Sequence, residues 1–390
     1  MSGERIKTRN PYPNVRVSEK ERQHLIDLVS GFIEDHFKKY EEFVVVDKRQ
    51  VDEQHWEHVK SKDNLHVYTE RIHKNHRRKS KSGEDDVEKD LAVMLSVGTL
   101  VGELDDLMFG LVTPTHEAMA IRTSYIGEVD NGAMLCPIVD PTEEDPFRSI
   151  GVKWVKLEMP MQPKSLIKPR DFVYVEATGY LNLANGERIG YNVLHSIEFP
   201  LTTPQSSMIR GNLSVFSFFR QIETNVIDNF TSCVVDPGGK AMRLLFVPIS
   251  ARAMLTATDF AYCGQMKKLS RLLQQKVSSF KPDKKSLQEK KECVICGKIS
   301  SKKIRGFGPS VCKLCSGRVC SSCKIRKRVS YISMEDQLVQ RKMAFCPPCI
   351  SMATNSSAQQ AARDQATGVK PYDGSSASPH SNESVTEVYD

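Results

Sequence analysis

Eight of the eleven cysteines fall into four C-x-x-C pairs within residues 293–349: Cys293/Cys296, Cys312/Cys315, Cys320/Cys323 and Cys346/Cys349. Fifteen, four and twenty-two residues separate successive pairs. Zn²⁺ takes four soft ligands in a tetrahedron, and one C-x-x-C turn supplies two of them from a single knuckle. Four pairs therefore make two closed Cys₄ sites. A closed site leaves no position for water, so the two Zn²⁺ ions are structural and not catalytic. A redox dithiol explains one C-x-x-C but not four in so short a stretch. Few large aliphatic residues occur here, and a segment of this size cannot fold on a core alone. It is expected to be unfolded without metal. The other cysteines, Cys136, Cys233 and Cys263, are scattered and read as small buried hydrophobes.

The metal reading requires a reducing compartment. The N-terminus, MSGERIKTRNPYPNVRVSEKERQ, has no apolar core behind its charges and does not read as a signal peptide. The longest apolar candidate for a membrane span, Leu91–Val112, is interrupted by Glu103, Asp105 and Asp106. The expectation is a soluble, cytoplasmic protein, where disulfides are rare and metal sites are not. A length of 390 residues suits one large and one small domain, or two of medium size.

Charge is unevenly placed. Residues 290–350 hold fourteen Lys and Arg against Glu292, Glu335 and Asp336, although the whole chain is only +7. Even with eight thiolates on two divalent ions, that segment stays strongly positive. Such a surface seeks anions: phosphoinositide head groups, acidic proteins or nucleic acid. No aromatic interleaving or base-reading motif supports nucleic acid.

Outside this segment the pattern changes. Residues 1–15 are polar with two prolines and are expected to be flexible. Ser18-Glu19-Lys20-Glu21 fits a capping box. Leu25, Leu28, Val29, Phe32, Ile33 and Phe37 follow at helical spacing, predicting a helix over about 19–43. Lys74–Asp90, basic then acidic, reads as a solvated loop. Strands are predicted at Asp171–Tyr180 and, across the Asn185-Gly186 turn, Glu187–Phe199. Further strands are predicted at Met208–Ile222, Phe230–Val235 and, past the Asp236-Pro237-Gly238-Gly239 turn, Arg243–Val247. A last helix is predicted over 257–277. Helices bracketing antiparallel strands make an α+β plan. The expected organisation is a domain over 16–280, a linker over 281–292, a finger over 293–350 and a disordered tail over 351–390, where large apolar residues are scarce.

Several stretches of the first domain resemble a START-like lipid-transfer domain. They are Trp56 with Val59-Lys60-Ser61, Leu65–Arg71, Lys168–Tyr174, the Ser196–Pro200 strand end and Arg210-Gly211. The resemblance implies a helix-grip fold with a hydrophobic pocket for a lipid or other apolar ligand. No residue singles out a particular ligand. A filled, non-binding scaffold is the alternative.

The four-residue gap between the second and third cysteine pairs resembles a FYVE-type zinc finger. The resemblance implies a cross-brace, with Cys293, Cys296, Cys320 and Cys323 on one zinc and Cys312, Cys315, Cys346 and Cys349 on the other. It also implies binding of phosphatidylinositol 3-phosphate and a peripheral place on endosomal membranes. The family's R-[RK]-H-H-C-R run here reads Gly308-Pro309-Ser310-Val311-Cys312-Lys313, so only the cysteine and one base remain. The W-x-x-D entry is absent as well. Lys302, Lys303 and Arg305 flank Ile304 and Phe307, a pairing of bases with apolar tips that suits an anionic membrane. Lys324, Arg326, Lys327 and Arg328 form a second basic cluster. Fingers without the histidine run also resemble Rab-binding fingers, which makes a small GTPase or another protein the alternative partner.

No P-loop, H-E-x-x-H, G-x-S-x-G or kinase motif set occurs. The sequence therefore predicts a non-enzymatic adaptor, with an apolar ligand in its first domain and a zinc finger directed at an anionic membrane.

Overall fold

The computed structural model describes residues 10–13, 15–71, 91–127, 131–157, 168–239, 243–279, 292–299, 310–333 and 337–367. They divide into two compact units. The larger holds the described residues up to Lys268 and those from Thr354 onward; the smaller holds those of 269–353.

The larger unit opens with α1 (Glu19–Val45). Its capping box forms as the sequence predicts. Ser18 Oγ accepts from the Glu21 N–H at 3.3 Å, and the Glu21 carboxylate accepts from the Ser18 N–H at 2.7 Å. Three strands follow: β1 (Trp56–Lys62), β2 (Leu65–Glu70) and β3 (Ala92–Val101). Two helices, α2 (Leu104–Leu111) and α3 (His116–Ile126), lead to β4 (Asn131–Val139) and β5 (Ser149–Leu157). Then come β6 (Arg170–Asn182), β7 (Arg188–Ser196), the short β8 (Ile209–Arg210), β9 (Asn212–Glu223) and β10 (Val226–Asp236). The unit continues through α4 (Arg243–Met254), a 3₁₀ turn at Leu255–Asp259 and the start of α5 (Phe260–Ser279), whose residues from Leu269 on count with the smaller unit.

Nine of these strands form one antiparallel sheet in the order β1-β2-β3-β10-β9-β7-β6-β5-β4, with β8 pairing in parallel to β6. Successive side chains along a strand point to opposite faces, and here the faces differ in kind. Val152, Trp154, Val173, Val175, Ala177, Ile189, Val193, Phe216 and Phe218 are buried with Val29, Ile33 and Tyr40 of α1 in one apolar cluster. The opposite, inner face carries α2, α3 and α5. There α2 and α5 cross with their backbones in near contact. A Cβ on Gly110 would strike Phe260 O, and one on Gly264 would strike Asp106 O. The mixed α+β architecture agrees with the expected fold class.

In the smaller unit, β11 (Ser310–Val311) pairs with β12 (Arg318–Val319). β13 (Ile325–Ile332) pairs with β14 (Leu338–Phe345), and α6 (Pro347–Asn355) follows. The last described element, α7 (Ala358–Ala366), belongs to the larger unit.

Several expectations need correction. Arg243–Val247 is the start of helix α4, not a strand. Buried Phe246, Val247, Ser250 and Ala251 recur with helical spacing, and a short apolar run alone does not separate strand from helix. Met208–Ile222 is not one strand: β8 ends at Arg210 and β9 begins at Asn212. Residues 10–13 and Val15 are not loose. Tyr12 and Val15 join the core under α1, and Tyr12 Oη donates to Asp171 at 3.3 Å. Disorder does not hold for residues 351–367. Ala358, Ala361 and Ala362 of α7 bury beside α2, and Arg363 Nε donates to Glu143 O at 3.1 Å. Three alanines at helical spacing form a narrow apolar stripe that a count of large side chains overlooks. The charged loop, nearly all of the linker, residues 1–9 and residues 368–390 lie outside the described residues. Among the described residues no helix is long and apolar enough to cross a membrane.

Candidate functional site

The four knuckles share one local device. The N–H four residues after the first cysteine returns to that cysteine's carbonyl: Gly297 to Cys293, Ser316 to Cys312, Lys324 to Cys320 and Ile350 to Cys346, at 2.9–3.2 Å. Gly297 and Ser316 reach it in the left-handed region, at φ 67° and 59°. The β11–β12 ladder brings the second and third knuckles together through Ser310↔Val319 and Val311↔Arg318. The β13–β14 hairpin then returns the fourth pair, and Pro347 starts α6 at the position where its missing N–H is harmless.

Two Cys₄ groups result. One is Cys293, Cys296, Cys320 and Cys323; the other is Cys312, Cys315, Cys346 and Cys349. Within each, all sulfurs lie within 4.8 Å of one another. Cys296 and Cys320 Sγ are 3.8 Å apart, and Cys315 and Cys346 Sγ are 3.7 Å apart. A tetrahedron with Zn–S bonds of about 2.3 Å has edges of about 3.8 Å, whereas a disulfide would need about 2.05 Å. The groups are thus spaced for a tetrahedral thiolate metal in the cross-brace pairing.

The electrostatics agree. Burial opposes ionisation of Cys293, but N–H groups of Cys320, Cys296 and Ile295 outweigh it and bring the thiol down to about 6. The Cys320 N–H lies 3.4 Å from Cys293 Sγ, and the Cys346 N–H lies 3.3 Å from Cys312 Sγ. These two bonds link one knuckle of each pair to the other. Cys323 is driven up to about 12, first by its contacts with Cys320 and Cys296. Four thiolates cannot share a site unaided, and a divalent cation removes that conflict.

Of the expected membrane-contact residues, Lys302, Lys303, Ile304, Arg305 and Phe307 lie outside the described residues. Lys313 is exposed beside Cys312, its N–H bonded to Ala344 O at 3.0 Å. The second cluster is split by strand alternation. Arg326 and Arg328 share one face of the hairpin with Lys342, while Lys327 pairs with Met343 on the other. Arg328 sits directly opposite Lys342. Val294, Ile295 and Ile299, around the first knuckle, are 53%, 40% and 65% exposed.

The inner face of the large sheet is the second candidate site. Registers Lys153↔Tyr174, Gly151↔Glu176, Thr178↔Asn192, Asn192↔Ser217, Ser217↔Thr231 and Thr231↔Ser96 put these side chains on that face. Lys153, Glu176, Thr178, Asn192, Ser217, Thr231 and Ser96 are all buried. They make a polar belt across β5, β6, β7, β9, β10 and β3. To one side, Val155, Phe172 and Tyr174 form a small apolar cluster with Met119 of α3, joined by half-buried Leu157, Leu194 and Leu213.

Charge concentrates at the β5 end of the belt. The Glu176 carboxylate accepts from Lys153 Nζ, from Arg122 Nη1 at 2.7 Å and from Asn192 Nδ2 at 3.4 Å. Lys153 also donates to Thr113 Oγ1 at 2.7 Å. Burial works against the Glu176 carboxylate, but Arg122 and Lys153 hold it down at about 2. Lys267 of α5 caps α2 through Phe109 O at 2.6 Å and Val112 O at 3.0 Å, with its ammonium over the Phe109 ring. Burial lowers Lys153 and Lys267 to about 8 each. The next residue, Lys268, pairs with Asp106 at 2.6 Å and donates to Thr354 O and Ser356 O, tying α7's approach to α2. Cys136, Cys233 and Cys263 are buried as expected, and burial pushes Cys233 to about 12.

No family profile and no curated protein matches the sequence. Solved structures similar in shape include human StAR-related lipid transfer protein 5, at 16% identity and TM-score 0.41, covering 61% of this chain and 97% of that one. Human STARD10 is similar at 14% identity and TM-score 0.39, covering 62% and 85%. The human StarD13 lipid transfer and protein localization domain is similar at 10% and 0.36, covering 64% and 98%. The sheet order and its helices themselves define the mixed α+β fold.

The belt is the part that sequence reasoning missed. Lys153, Glu176 and Asn192 sit in strands that otherwise read as apolar. Their spacing along the chain gives no sign that they meet. Alternation was the one available signal: Lys153 and Glu176 each lie between residues destined for the opposite face.

Proposed function

We propose that this chain is a non-enzymatic lipid-handling adaptor. The helix-grip unit holds an apolar or amphiphilic ligand on the inner face of its sheet. The finger, built on two structural Zn²⁺ ions, brings the protein to an anionic membrane such as the endosomal surface. The observation that carries the first half is the divided inner face. A polar belt beside an apolar wall is suited to a molecule with a head and a chain, whereas the outer face is already packed by α1. For the second half, Arg328 opposite Lys342 matters most. Like charges directly across a ladder oppose folding, and an anionic surface turns them to use. Exposed Val294, Ile295 and Ile299 add apolar contact.

One experiment reads both halves. Zinc-loaded full chain is mixed with vesicles of phosphatidylcholine, with or without phosphatidylserine or phosphatidylinositol 3-phosphate, that carry a labelled lipid. The vesicles are then sedimented. Protein in the pellet reports membrane contact, and label in the supernatant reports extraction by the grip. The expected result is charge-dependent pelleting, weakened by the triple change Arg326→Ala, Arg328→Ala and Lys342→Ala, together with soluble label. Protein with two zincs that never pellets would move the finger's contact to a protein partner.

A further inference from the structure

The β1–β2 hairpin carries a polar cluster that neither the inner face of the sheet nor the finger uses. β1 ends the sheet order and pairs with β2. Their ladder is interrupted once. His58 lies opposite Tyr68 and Lys60 opposite Val67, so Val59 is an extra residue, a β-bulge. Beyond it the register resumes, with Ser61 opposite His66. On a regular strand, side chains three positions apart face opposite sides. The bulge shifts that phase by one residue. It puts His58 and Ser61 on one face, which is also the face of His66 and Tyr68.

Three of these side chains meet there. His58 Nε2 and His66 Nδ1 each lie 2.7 Å from Ser61 Oγ. The two imidazole nitrogens are therefore no further apart than twice that distance. The His58 ring stands edge-on to Tyr68, with centroids 5.5 Å apart, and its centroid is 6.2 Å from that of His66. Hydrogen bonding alone is a weak reason for this arrangement. The Ser61 hydroxyl has one proton to donate, so it can serve one ring as donor and the other as acceptor. His58 and Ser61 are exposed and His66 is half-buried. Polar groups within reach of water gain little by bonding one another instead. A bulge re-aims side chains, and bulges are frequent beside functional sites.

We propose that His58 and His66 chelate a divalent transition metal of the zinc class, with Ser61 Oγ as a third, weaker donor and water completing the shell. Imidazole suits zinc, copper and nickel, whereas magnesium and calcium take carboxylate and carbonyl oxygens. Two nitrogens at about 2.0–2.1 Å from a tetrahedral zinc sit roughly 3.4 Å apart. Rotation of the exposed His58 side chain brings its nitrogen to that separation. The site differs in kind from the Cys₄ groups. Those are closed and structural, while a site with two protein nitrogens keeps positions open. It therefore holds its metal exchangeably and leaves room for a further donor. The inference is independent of the proposed lipid and membrane contacts.

The test uses the full chain carrying two equivalents of zinc, titrated with further ZnCl₂ in a calorimeter near neutral pH. The expected result is a third ion, bound with micromolar affinity and removed by dialysis that leaves the first two. His58→Ala and His66→Ala should each weaken it at least tenfold. His24→Ala, which removes an exposed histidine of α1, should leave it unchanged. The third ion in the wild-type chain stands as a test even if a variant does not fold. No third ion up to millimolar free zinc would overturn the inference. So would a third ion whose affinity survives either His58→Ala or His66→Ala in folded protein, or one that weakens equally in His24→Ala.

Discussion

The grip and the finger stand on different physics. In the grip, dozens of buried side chains pack about a sheet of nine main strands. Among its described residues the finger has two short ladders and a small apolar centre around Val329, Tyr331 and Phe345. Its four knuckles gather eight sulfurs into two Cys₄ groups. One unit distributes its stability over a core; the other has little core and two Cys₄ groups placed to hold metal. The difference teaches where each can be broken.

The largest expected effect is on the finger. Apparent binding energies of structural zinc sites run to about 10–16 kcal/mol in finger peptides, far above what this small core supplies. Cys320→Ser should therefore abolish one site and unfold the finger, with metal content falling by at least one ion per chain. Protection of the grip's strands from hydrogen exchange should persist, which sharpens the contrast.

Next is the grip's own core. Trp154 is 2% exposed, and its indole N–H donates to Asp171 at 3.0 Å. Trp154→Ala should cost about 3–5 kcal/mol as a lowered denaturant midpoint, yet leave both metals bound. Loss of metal in that variant would break the comparison.

The buried lysines give a smaller, pH-dependent signature. Lys267 is lowered from 10.5 to about 8 by burial, so between those pH values the unfolded chain binds more protons than the folded one. Stability must then rise with pH across that window, by up to about 3 kcal/mol. Lys267→Met should flatten the rise when grip unfolding is followed from pH 8 to 10. Smallest is the α1 cap: Ser18→Ala should cost about 1 kcal/mol, read as a modest fall in the same midpoint.

The cysteine spacing made the two Cys₄ groups legible, because a C-x-x-C knuckle is a local device. The capping box and the α1 stripe were legible for the same reason. In the sheet, the hairpin at Asn185-Gly186 could be read, since turn chemistry is local. The belt could not. Lys153 and Ser96 belong to strands far apart in the chain, and only the strand order makes them members of one row. Helix α7 was hidden differently: its buried face is Ala358, Ala361 and Ala362, too small to register as apolar pattern. The basic run Lys324–Arg328 looked like one cluster, and strand alternation divided it between two faces.

The central claim, a core-built grip carrying a metal-built finger, is tested most directly on the full chain by counting metal and then removing it. Two zincs per chain are expected. After chelation, hydrogen exchange should rise sharply across residues 292–349 while β5, β6, β7 and β9 stay protected. Fewer than two metals in folded protein, or a loss of protection that spreads through those strands, would contradict it.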